Sequence, residues 1–257
     1  MSILISLLLM VSPADAQGKG KKKGGGENPV VSGELPGTAH TLKKGQLKLS
    51  ATPNFLLSTG ALDAVWLSAN YGVSPKTELG INLNGLRWGP NLSLEQQIMG
   101  EGGQALSVGA ALNSDWGFDT QALGAGLLYT KGKPRDNRFN LGGGVGLATS
   151  KVGSDRTNAV STNLHVGYDW VLKPRDTVQV YANVDPLNSG RSSSFIGTGG
   201  GAWTHGVGES FRLRLGLNVA PTAGFEAAWN DKIGDSSDPV DFPDWAPLPF
   251  CQVWFKI

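Results

Sequence analysis

The sequence predicts an all-β chain closed into a transmembrane, antiparallel, up-and-down β-barrel of about twelve strands. Three observations carry that expectation. From Gly45 almost to Ile257, apolar and polar residues alternate with period two, the signature of strands with two unlike faces. The alternating segments run to roughly ten residues, the span that a tilted strand needs to cross a bilayer. Charged residues make up only 17% of the 257 and glycines number 37, against about 25% and about 7% in ordinary soluble domains. No apolar run reaches the roughly 18 residues of a membrane-spanning helix.

The N-terminus reads as an export signal over residues 1–16. Ile3 to Val11 is a short apolar core, followed by Ser12-Pro13 and a small-x-small site at Ala14-Asp15-Ala16. It departs from the usual signal in that Met1-Ser2 carries no Lys or Arg. Residues 17–43 are expected to form a Lys/Gly-rich periplasmic linker. Its first part, QGKGKKKGGGE over 17–27, has nothing to bury, and residues 28–43 show no clear period. The formal charge is +1, from 22 Lys and Arg against 21 Asp and Glu. Without Lys19, Lys21, Lys22 and Lys23 it would be −3. The basic character is therefore local, and nucleic acid is not an expected partner. One cysteine, Cys251, excludes an internal disulfide framework and a Cys-based zinc site.

The barrel is expected over 44–257. Leu47, Leu49, Ala51, Phe55 and Leu57 share one face of a first strand, with Lys48 and Ser50 on the other. Alternation recurs at Leu67–Val73, Leu79–Leu83, Leu106–Leu112, Leu123–Tyr129, Phe139–Leu147, Leu164–Trp170, Val178–Val184, Phe211–Val219, Phe225–Trp229 and Cys251–Ile257. Only residues 92–99 alternate poorly, because Gln96 falls among Leu92, Leu94 and Ile98; a bulge is expected there. A soluble sandwich also has one apolar face, but its strands are shorter and its outer face richer in Lys and Glu.

Connection lengths orient the chain. Ser74–Thr77, Glu101–Gly103, Lys131–Asn137, Lys173–Asp176 and Ala220–Ala223 read as short turns. Ser58–Leu62, Trp88–Asn91, Ser114–Phe118, Val152–Asn158, Pro186–Ser210 and Asn230–Pro249 read as longer loops. The two kinds alternate, as in outer-membrane barrels with short periplasmic turns and long outer loops. Phe195–His205 is assigned to a loop because one more strand would break the parity. Tyr71, Tyr129, Tyr168 and Trp170 fall at one end of their strands, and Trp88, Trp116 and Trp229 at the other, as two interfacial belts require.

The phrase Gly37-Thr38-Ala39-His40-Thr41-Leu42-Lys43-Lys44-Gly45 and the hairpin Tyr71-Gly72-Val73-Ser74-Pro75-Lys76-Thr77-Glu78-Leu79-Gly80, behind a signal and a Lys/Gly-rich tether, resemble Gram-negative outer-membrane β-barrel proteins of the porin-like kind. The last strand, with Phe255 and Ile257 on its apolar face, looks like the C-terminal signal read by the barrel-assembly machinery, ending in Ile where Phe is commoner. The resemblance implies an outer-membrane location, contact with outer-membrane lipid, and passive diffusion of ions or small polar solutes. It names no substrate.

Catalytic constellations are hard to find. A lipase or deacylase needs Ser and His within proton-transfer reach, and no His-x-Ser occurs among the three histidines His40, His165 and His205. His165 shares a lumen face with Asp169 and would need a nucleophile such as Ser150 or Ser161. Asp231, Asp235, Asp238, Asp241 and Asp244 form an acidic loop without the spacing of a calcium loop. Gly142-Gly143-Gly144-Val145-Gly146 sits inside a strand with no Lys or helix after it, so it is no phosphate loop. No enzyme activity, cofactor or metal is expected.

The lumen face is uneven. Gly124, Gly126, Gly142, Gly144, Gly146 and Gly167 form a wall almost without side chains, while Lys48, Arg212, Arg214, Glu226 and Lys256 form a charged patch and Glu78 and Glu95 an acidic one. With His165 and Asp169 these are the expected lumen-lining residues. A twelve-stranded barrel lies between those filled by side chains and those with a water channel, so lumen side-chain volume decides. Two readings follow: a narrow channel with opposed charged walls, or a closed structural or surface-binding barrel plugged by loop 186–210.

Overall fold

The computed structural model describes residues 35–53, 65–83, 86, 89–152, 155–185, 196–221 and 245–257. They form twelve strands: β1 Leu47–Pro53, β2 Val65–Ser74, β3 Thr77–Asn82, β4 Asn91–Glu101, β5 Gln104–Ser114, β6 Thr120–Lys131, β7 Arg138–Val152, β8 Asp155–Lys173, β9 Asp176–Asp185, β10 Ile196–Val207, β11 Phe211–Pro221 and β12 Trp245–Lys256. Each pairs antiparallel with the next, and β1 pairs antiparallel with β12, through Lys48↔Lys256 to Ala51↔Val253, closing the barrel. Closure leaves no free sheet edge.

The alternation in the sequence becomes an inversion of the usual core. Leu94, Leu123, Leu141, Val145, Leu147 and Leu164 are exposed on the outer face, while Arg138, Arg212, Glu78, Asn140 and Asp169 are buried inside. In a water-soluble protein exposed leucines are scattered and buried charges rare. Here the two sets have changed places along whole strands.

The short turns lie together at one end of the barrel, which we call the turn end. One two-residue turn is Gly102-Gly103, where both residues have positive φ (62° and 79°), the backbone that a two-residue hairpin with matching twist demands and that glycine supplies without steric cost. The bulge expected near Gln96 is present as a register shift between Gln97 and Met99 in the β4–β5 ladder. Gln96 stays on the outer face, where Thr77 Oγ1 donates a 2.7 Å hydrogen bond to its side-chain oxygen.

Four expectations need correction. Phe195–His205 is not a loop, because Ile196–Val207 is β10, laddered to β9 and β11. Its run Gly199-Gly200-Gly201 gave no hydropathy alternation to read. Ala220 and Pro221 continue β11 rather than turning, and Trp245–Pro249 open β12, where Pro247 and Pro249 pair with Val219 and Leu217. Prolines in a ladder disguise a strand. Val152–Asn158 is the tip of a long hairpin, β7 being 15 residues and β8 19, paired out to Val152↔Asp155. Parity survives because Gly208–Ser210 becomes the short turn. The segment Phe225–Trp229, expected as a strand, and the acidic loop 231–244 lie outside the described residues.

Candidate functional site

The charged lumen side chains gather near the turn end. Arg138 is fully buried, and its Nε donates to Asp169 Oδ2 at 2.9 Å while its guanidinium also donates to Pro134 O at 2.7 Å. Gln179 Nε2 donates to the other Asp169 oxygen at 2.8 Å. Glu78 and Glu95 are direct cross-strand partners of the β3–β4 ladder, and Lys48 lies on the same face of β1, also buried. Arg212 is buried with its guanidinium on Phe211 O at 3.0 Å. Arg214 sits between two rings, 5.7 Å from the Tyr181 centroid and 5.1 Å from that of Phe250, a cation–π arrangement in a desolvated place.

Residues 35–46 run through this charged layer. The segment enters beside β1 and β2, where Gly45 N–H donates to Gly72 O at 2.7 Å. Leu42 N–H donates to Glu78 Oε2 at 3.1 Å, and Thr41 Oγ1 to Pro75 O at 3.4 Å. Ala39 N–H donates to Thr130 Oγ1 at 2.7 Å, and that hydroxyl donates on to Asn140 Oδ1 at 2.8 Å. Ala39 packs with Ala105 and Leu128. Pro36 O accepts from Gln179 Nε2 at 3.2 Å, and Leu35 packs on Trp254. The segment thus crosses the lumen from β3 to β12. Gly37 has φ +80° and lies so close to β8 that a Cβ there would fall 2.6 Å from His165 Nε2. Only glycine meets both demands.

His40, in the middle of the crossing, is 5% exposed. Its burial, followed by the nearby Arg138 cation, pushes its pKa down from 6.5 to about 4, against a smaller opposing pull from Asp169. It is held neutral.

Beyond this floor lies a cavity of about 240 Å³, bounded by Pro36 and Gly37 of the crossing segment and by the glycine wall. Neighbouring ladders align Glu95↔Gly109, Gly109↔Gly126, Gly126↔Gly144 and Gly144↔Asn163 in one row. A bare backbone track therefore leads from a carboxylate to an amide. Tyr181 O–H donates to Asn218 Oδ1, and His165 Nδ1 meets Asn183 Oδ1 at 2.8 Å.

Of the residues expected in the lumen, Lys48, Glu78, Glu95, Asp169, Arg212 and Arg214 are buried there. His165 lines the cavity, and Lys256 faces Lys48 across the closing ladder. Glu226 lies outside the described residues. The structure does not join His165 to Asp169: the imidazole is held by Asn183 and the carboxylate by Arg138 and Gln179. His205, expected in an outer loop, is on the outer face of β10 near the turn end, paired with Asp176 at 2.8 Å and stacked on Trp203. The expected plug, loop 186–210, is also corrected, since residues 196–207 are wall. Sequence reasoning missed Arg138, hidden at the edge of a turn, and the crossing segment itself. Its one signal is the uncharged stretch LPGTAHTL over 35–42, between Glu34 and Lys43.

No protein-family model matches the chain, and no curated protein matches it.

Proposed function

We propose that the protein is a porin-like barrel of a Gram-negative outer membrane that admits ions or small polar solutes, with residues 35–46 as its internal plug. One observation carries the reading: an apolar outer face encloses a polar, partly empty lumen, the arrangement that lipid outside and water inside would select. Supporting features lie at the ends of the strands. Tyr71, Trp170 and Trp203 are exposed near the turn end and Trp116 and Phe118 at the other, matching interfacial belts. Phe255 on the last strand and Ile257 just after it are exposed, where the barrel-assembly machinery would read them. On this reading the turn end faces the periplasm, export depends on residues 1–16, and lipid covers the outer face. The crossing segment favours a second reading, a closed scaffold barrel.

Planar-bilayer conductance separates the two. Chain 17–257 is expected to give small or rare openings, and chain 44–257, lacking the plug, discrete long-lived steps. Changing Arg212 and Arg214 to Ala should then shift selectivity toward cations. A folded 44–257 barrel that stays silent overturns the channel reading in favour of the scaffold.

A further inference from the structure

The cavity beside the plug has two poles of opposite charge, and neither is fully satisfied. At one pole Glu78 and Glu95 face each other across a single ladder step, 2% and 8% exposed. Cross-strand partners stand about 5 Å apart at Cβ, close enough for like charges to repel. Each carboxylate has one oxygen engaged on its known side: Glu78 accepts from Leu42 N–H and Asn70, and Glu95 from Ser107. The remaining oxygens, Glu78 Oε1 and Glu95 Oε1, are buried without a hydrogen-bond partner among the described residues. Lys48 attracts both carboxylates against their burial and, at Glu95, against repulsion from Glu78, so the cluster carries at most one net negative charge, which suits a monovalent cation better than a divalent one.

At the other pole is Arg214, 6% exposed, whose Nε is buried without a partner among the described residues. Its guanidinium is flanked by aromatic rings and donates to Gln252 Oε1 at 3.5 Å, with no carboxylate ion-paired to it among the described residues. A buried, partly unpaired guanidinium is costly unless an anion meets it, and a guanidinium suits a carboxylate geometrically. Glu78, Glu95 and Arg214 all line the same cavity. The row Gly109, Gly126 and Gly144 provides a floor without side chains for whatever lies along it.

We propose that this cavity is a binding site for a small zwitterion. Its ammonium sits against Glu78 and Glu95, its short carbon chain lies along the glycine row, and its carboxylate faces Arg214. The inference rests on the channel reading only for its biological use, since the site is a property of the folded barrel whether or not it conducts.

Isothermal titration of the full chain, refolded in detergent, tests it with γ-aminobutyrate as probe and n-butylamine and butyrate as single-charge controls. Saturable binding of γ-aminobutyrate at least tenfold tighter than of either control is expected. Glu95→Gln should weaken it at least tenfold, and Arg214→Gln should abolish the advantage over butylamine while leaving butylamine itself unchanged. Absence of saturable binding, equal binding of the three compounds, or binding of Ca²⁺ in preference to all three overturns the site. These wild-type comparisons stand even if a variant fails to fold. Bilayer conductance is read separately. A silent barrel that binds the zwitterion loses the channel reading and keeps the site, and a conducting barrel that does not bind loses the site alone.

Discussion

The two ends of the lumen solve the same geometric problem in opposite ways. Near the turn end the interior is packed: Arg138, Asp169, Gln179, Thr130 and Asn140 form a hydrogen-bonded layer around residues 35–46. Further along the strands Gly126, Gly142, Gly144 and Gly146 leave the wall bare and a cavity beside it. Twelve strands enclose more space than side chains of ordinary size fill. The packed end recruits a segment from outside the barrel to fill that space, and the bare end leaves it open. Closure is therefore separable from the wall, which a barrel closed by its own bulky side chains would not permit.

The largest effect expected is on the packed end. Arg138 and Asp169 are 0% and 1% exposed, and removing one partner of such a pair strands a buried charge at a cost of about 3–5 kcal/mol. Arg138→Ala should lower barrel stability by that amount in urea unfolding from lipid vesicles. It should also loosen the plug, because Asp169 would lose the cation that orders it beside Gln179. A loss below about 1 kcal/mol would mean that water reaches the pair and that the packed end is not dry.

Acid should act on the same end and more gently. His40 is neutral when the plug is seated, with a pKa of about 4 against 6.5 in the released, solvated segment. Above pH 6.5 both forms are neutral and pH has no effect through this residue. Between 6.5 and 4 the released form binds the proton first, so seating weakens as pH falls, and below about 4 the loss is complete, of the order of 3 kcal/mol. The charged groups acting on it, Arg138 of β7 and Asp169 of β8, pull in opposite directions. Protease cleavage of the 35–46 segment, followed from pH 7 to 4, should rise across that window in the native chain and stay flat in His40→Gln.

How much of this was legible follows the same division. Outer-face leucines at every second position announced the wall, and a polar residue out of phase, Gln96, announced the bulge. What failed was wherever alternation has no voice. The glycines of β10 carry no hydropathy contrast, and the prolines of β12 read as loop. The plug is invisible to periodicity because its conformation is neither helix nor strand and its partners, such as Thr130 and Gln179, lie far along the chain. Arg138 does not stand out in the sequence because a charge at the end of a turn ordinarily points to water; its burial depends on Asp169, thirty-one residues later. The glycine wall reads as empty space in the sequence and lines a cavity in the structure, whereas no periodicity in the sequence marks residues 35–46, rather than 186–210, as the segment that comes closest to filling it.

The smallest effect expected distinguishes the two ends by removing the same chemical group from each. Thr130 Oγ1 is fully buried, accepting from Ala39 N–H and donating to Asn140. Thr130→Val keeps the shape but leaves a buried N–H unpaired, which costs about 1–3 kcal/mol. Ser161, on β8 opposite Gly146, is half-buried and lines the cavity, so water can replace whatever its hydroxyl gives up. Ser161→Ala should therefore change urea-unfolding stability by less than about 0.5 kcal/mol. If the two substitutions cost the same, the bare end is as dry as the packed one, and a solute could enter it only by displacing structure rather than solvent. If they differ as expected, the cavity is already a solvated compartment, and the plug together with the side-chain layer around it stands between that compartment and the turn end of the barrel.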